Sequence, residues 1–103
     1  MSEPVYMIGL IDVQDFETYA VEYGMPVGAM FAEIGAEIIV ASQDADVLEG
    51  TWHGNWTVVV KVPNAEAARE LHESERYAPF RVARQDRLAR STALAIFPAL
   101  DHG

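Results

Sequence analysis

Four side chains able to do acid, base or anion-holding work fall between positions 49 and 84 and could converge on one pocket: Glu49, His53, Tyr77 and Arg84. Glu49 precedes Gly50 and neighbours Trp52 and Trp56, a setting in which burial would raise the carboxyl pKa and suit it to general-base work. The same carboxylate could equally accept backbone N–H bonds in a tight turn. Arg84 carries the planar fork that grips a carboxylate through two bonds, or could close a structural ion pair with Glu49. Tyr77 offers a hydroxyl to a ligand, or is a core aromatic with a satisfied tip. Ser74 reads as a helix N-cap, because no Ser-His-Asp order or nucleophile elbow surrounds it. The candidate catalytic residues are therefore Glu49 and Arg84, and the candidate ligand contacts are Tyr19, Tyr23, Trp52, His53, Ser74 and Tyr77.

Several chemistries are set aside by what surrounds these residues. His53 and His72 do not form a His-x-x-x-His pair and have no evident third ligand, so no metal site is expected. Asp44 and Asp46 form an Asp-x-Asp pair in a predicted turn, where such residues are ordinary. There is no Gly-rich phosphate loop and no dinucleotide fingerprint, so no cofactor is expected. The chain has no cysteine, which excludes disulfides and thiolate chemistry and accords with a reducing compartment. The net charge is -9, and residues 1–60 hold ten Asp or Glu and no Lys or Arg. An acidic surface repels phosphate backbones, so nucleic-acid binding is not expected. Arg81, Arg84, Arg87 and Arg90 form a basic series that could hold an anion, meet acids across an interface, or line a solvated helix face. No apolar run nears the roughly 18 residues of a membrane span, and the acidic start lacks the basic region of a signal peptide. A cytoplasmic protein with no membrane partner is the expectation.

At 103 residues and 50% hydrophobic, the chain reads as a single domain over 1–103, with an ordered core over roughly 5–98. The apolar run Val5 to Asp12 predicts a buried first strand. Asp15 is placed to cap a helix, and Phe16, Tyr19, Tyr23, Val27, Met30, Phe31 and Ile34 recur at helical spacing. Gly24 and Pro26 predict a kink, or a break and restart, near Pro26. Gly35 follows as a C-cap. Ala36 to Ser42 predicts a second strand, Val47 to Gly50 a short extended segment, and Trp56 to Val62 a third strand rich in valine. Asn64 can cap a helix over Ala65 to Glu73, and Ser74 another starting near Glu75. Ser91 to Phe97 predicts the last strand, stopped by Pro98. The order is that of an α+β, ferredoxin-like β-α-β-β-α-β domain with an extra short helix.

The strands also bear on assembly. In the first strand Val5, Met7 and Ile11 lie on one face, yet Tyr6, Ile8 and Leu10 on the other are as apolar. Two helices cover one face of such a sheet, so the second needs a cover, and another copy of the same sheet is the economical one. The expectation is a homodimeric α+β barrel.

The tyrosine-rich first helix, Gly35, Glu49-Gly50 with Trp52, the valine-rich strand ending at Pro63, the Ala-rich helix, and Ser74, Tyr77 and Arg84 together resemble the bacterial family known as domain of unknown function 1330. The resemblance spans about Val5 to Phe97. It implies the dimeric α+β barrel fold and no settled activity. The family's Ser-Pro-Glu-Tyr stands here as Ser74-Glu75-Arg76-Tyr77, and its late aromatic pair as Leu71-His72, so one wall of the implied pocket is altered.

Two classes of function fit these residues. One is a pocket for a small organic metabolite, which could bear a carboxylate, with an enzymatic version by fold analogy in cofactor-independent oxygenase or isomerase chemistry. The other is a structural or interaction module in which Glu49 and Arg84 pair to stabilise the dimer. A cavity wide enough for a ligand and lined by both carboxylate and guanidinium favours the first; a filled interior with Glu49 bonded to Arg84 and backbone favours the second.

Overall fold

The computed structural model describes residues 3–100. Strand β1 (Val5–Val13) runs into a long helix that begins when the Asp15 side chain accepts the N–H groups of Glu17 and Thr18. That helix comprises α1 (Phe16–Tyr19), a π turn (Ala20–Gly24) and α2 (Met25–Glu33). It neither breaks nor restarts at Pro26. The Met25 N–H donates to Ala20 O, five residues back, so the α ladder is already interrupted one residue before proline withdraws its own donor. Gly35 ends the helix at φ +76°, a conformation glycine adopts without a Cβ penalty.

Strands β2 (Glu37–Ser42) and β3 (Trp56–Val62) follow. The Val47 to Gly50 stretch between them is irregular rather than extended. Asn55 clamps the far end of this loop: its Oδ1 accepts the Val13 N–H at 2.8 Å and its Nδ2 donates to Val13 O at 3.0 Å. Helix α3 (Ala65–Glu73) is capped by Asn64, which accepts the Ala67 N–H. Helix α4 (Ala78–Ala83) continues into a second π turn (Arg84–Leu88), and β4 (Ala89–Pro98) completes the domain. Residues 75–77 form a turn before α4, so that helix starts three residues later than its predicted start near Glu75.

All strand pairs are antiparallel, in the order β2-β3-β1-β4. The described part of the chain is thus a small α+β domain with a four-stranded sheet, compatible with the ferredoxin-like arrangement. The register pairs Met7 with Val60 and Ile96, and Ile11 with Trp56 and Thr92. Val5, Met7, Ile11 and Val13 turn to the helices and are buried. One core cluster joins Ile11 and Val13 to Tyr19, Tyr23, Val27, Met30, Tyr77 and Leu88; a second joins Val5 and Met7 to Val60, Val62 and Ala68. Tyr6, Ile8 and Leu10 point the other way and stay partly exposed. The Cα extents of 41 × 38 × 17 Å are those of a two-layer slab.

Candidate functional site

The two π turns each present one polar side chain to the space between helices and sheet. Tyr23 lies in the first and Arg84 in the second. A π turn inserts a residue and so re-aims the side chains around it, which is why such turns recur at sites. Here they bring the Arg84 guanidinium carbon to 5.6 Å from the centroid of the Tyr23 ring. Tyr23 is held in turn by Tyr77, whose hydroxyl lies 2.5 Å from its own, and stacks against Tyr19 at 5.0 Å between centroids. Burial raises the pKa of both Tyr19 and Tyr23 far above the ordinary phenol value, so both stay neutral and able to donate.

Arg84 is 1% exposed. Its Nε and Nη1 have no hydrogen-bond partner. The ion pairs among the described residues are Arg76 with Glu33, Arg87 with Glu22 and Arg90 with Asp12, so no carboxylate neutralises Arg84 there. Arg84 instead lines a cavity of about 40 Å3 with Gly9, Tyr19, Tyr23, Phe31 and Leu94. Gly9 is tightly flanked in that lining: a Cβ there would come within 3.3 Å of the Leu94 side chain. A larger cavity of about 370 Å3 adjoins it, sharing Tyr19, Tyr23, Phe31 and Val58 as walls and opening between the first helix and the β2-β3 edge. Its remaining lining includes Phe16, Trp56 and Ile38 and carries no charged side chain. The arrangement is a buried cation beneath an apolar, aromatic mouth.

The basic series predicted from the sequence therefore divides. Arg81 donates to His72 O, Arg87 and Arg90 make exposed ion pairs, and Arg84 alone turns inward. Tyr19, Tyr23, Tyr77 and Arg84 come together as a group. Ser74 supports it: its Oγ donates to Leu71 O and accepts the Tyr77 N–H, fixing the turn from which Tyr77 projects. Glu49, Trp52 and His53 lie elsewhere in the chain. Glu49 and Trp52 stand in the exposed β2-β3 loop, around a surface depression shared with Leu48. The Trp52 indole donates to Thr57 Oγ1, and His53 Nε2 lies 3.1 Å from Ser91 Oγ. Neither a carboxylate nor an imidazole lines the Arg84 cavity. No group of three or more His, Cys, Asp or Glu is placed to hold a metal among the described residues. The cavity-lining Gly9, Phe16, Gly24, Gly28 and Trp56 were not among the predicted site residues; the signal available was the Ala20, Gly24, Gly28 spacing of four on a helix.

Fold and site together define a small α+β domain, one helical layer on one four-stranded sheet, with a buried arginine at the layer boundary. Residues 4–97 match the family described as domain of unknown function (DUF1330), and the chain belongs to that family. Among solved structures it is similar to the methylated RPA0582 protein, with a TM-score of 0.77 and 16% identity over 100% of this chain and 85% of that one. It is also similar to RPA0582 from Rhodopseudomonas palustris, a protein of unknown function, with a TM-score of 0.74 and 18% identity over 98% and 85%. At these identities the likeness bears on the fold. No curated protein matches the sequence.

Proposed function

We propose that the protein binds a small organic acid, whose carboxylate meets Arg84 between the helical layer and the sheet. The observation that carries this reading is the buried Arg84 guanidinium with two nitrogens, Nε and Nη1, unpartnered and a cavity beside it. An uncompensated buried charge costs several kcal/mol. Water in the cavity could accept the N–H bonds but would not supply the opposite charge. A carboxylate does both, and its two oxygens suit the planar fork. Tyr19 and Tyr23 are the neutral donors beside it, and Tyr77 and Ser74 position Tyr23. With no base lining the Arg84 cavity, binding is favoured over proton abstraction.

The assembly proposed is a homodimer in which the open sheet faces meet. Its support is the apolar centre of that face, with Ile8 flanked by Val59 and Ala95 in register, and Tyr6 flanked by Phe97 on one side and Lys61 on the other. Edge strand β2 adds Val40, exposed and in register with Val59, to the surface that needs a cover.

The test is Arg84→Met, followed by thermal unfolding with and without a panel of aromatic and aliphatic carboxylates. A ligand at 100 times its Kd adds about 2.7 kcal/mol to the wild type. The variant should lose that increment while its unliganded stability rises by about 1–4 kcal/mol, as an apolar side chain replaces an unpaired buried charge. A destabilised variant together with a silent panel would instead make Arg84 structural.

A further inference from the structure

The larger cavity exists because one face of the first helix carries almost no side chain. Ala20, Gly24 and Gly28 recur every four residues and all three line it. Neither glycine is needed by the backbone: Gly24 has φ -58° and ψ -49°, ordinary helical values, and Gly28 lies inside α2 with no positive φ. A glycine in a helix interior is worth about 1 kcal/mol less than alanine. Nor does crowding require them. A Cβ on Gly28 would meet nothing within 4 Å, and one on Gly24 only Tyr19 O at 3.8 Å. The pair keeps open a space that the fold itself does not use.

Resting on the reading of Arg84 as the anion partner, we propose that the ligand is a monocarboxylic acid with an unbranched or flat apolar body, and that Gly24 and Gly28 set how long that body can be. The carboxylate end is limited to the cavity of about 40 Å3, beside a single cation. The body lies in the cavity of about 370 Å3, a size within the range of small-ligand sites. Its walls are Phe16, Phe31, Trp56 and Ile38 across from the small-residue face. A second carboxylate would be desolvated against these walls with no cation to meet it, Gln43 being the one amide side chain in the lining. Dicarboxylates and inorganic phosphate should therefore bind poorly.

Butyrate, hexanoate, octanoate, phenylacetate, glutarate and inorganic phosphate are titrated into the full chain by calorimetry, with Gly28→Leu, Gly28→Ala and Arg84→Met alongside. Wild-type affinity should rise about fourfold per added methylene from butyrate to octanoate. Gly28→Leu should weaken octanoate by about tenfold or more and leave butyrate within about twofold, since the added side chain occupies only the body's path. Should Gly28→Leu fail to fold, Gly28→Ala is scored the same way, with an expected octanoate loss of about threefold. Octanoate binding that ignores both Gly28 substitutions overturns the inference, as does glutarate or phosphate outcompeting octanoate. Arg84-dependent binding of acids with no gain in chain length would overturn this inference alone. No Arg84-dependent binding of any acid would remove the proposed function as well.

Discussion

His72 shows how a single residue feels the buried cation from outside the cavity. Its ring lies 5.8 Å from that of Tyr77, and its pKa is lowered first by burial, then by Arg81 and Arg84. The folded protein thus binds this proton less readily than the unfolded chain does. A depressed folded pKa gives stability that is present above the unfolded value, near 6.5, and lost as pH falls through the folded value. The melting temperature should therefore drop between pH 7 and pH 5 by more in the wild type than in His72→Gln, followed by circular dichroism at several pH values. Equal slopes would mean that His72 ionises freely in the fold. A carboxylate seated on Arg84 would offset part of the positive field, so a bound acid should also raise the His72 pKa.

Among the elements, the exposed β2-β3 loop is anchored at Gly54-Asn55, where the Asn55 N–H donates to Ile11 O and the Asn55 side chain clamps Val13. Gly54 has φ +78°, and a Cβ there would lie 2.4 Å from Ile11 O, against backbone that cannot yield cheaply. Gly54→Ala should cost about 3 kcal/mol, combining left-handed strain with displacement of the Asn55 clamp. Chemical denaturation measures this directly, and a loss below about 1 kcal/mol would show that the loop re-anchors. The element boundaries were legible where local chemistry decides them. Asp15 and Asn64 cap as their types predict, Gly35 takes the left-handed turn, and Trp56 to Val62 is the strand its valines demand. Both π turns were invisible, because hydrophobic spacing of three and four does not distinguish an α ladder with one extra residue. The sequence marks Arg84 as a candidate, but its isolation from carboxylates depends on where Glu49 sits, and only tertiary structure places a loop residue. The small-residue spacing that clears the cavity was present in the sequence and is meaningful only once the facing strand is known.

For the whole molecule, the open sheet face carries the prediction. Ile8 lies at its centre, between Val59 and Ala95. Ile8→Glu should turn a dimer into a monomer in sedimentation equilibrium at micromolar concentration, and lower the melting temperature as subunit burial is lost. A wild type that sediments as a monomer would remove the basis of this assembly. The slab and its cavity also depend differently on chain length at the two π turns. Each π turn is one residue longer than an α-helix requires, and each successive residue of a helix is turned by about 100°. Deleting a single codon from Ala20–Gly24 or Arg84–Leu88 would spare caps, strands and sheet order, yet swing Tyr23 or Arg84 out of the constellation. One-residue gaps at these two places in related chains would therefore mark lineages that kept the architecture and gave up the pocket.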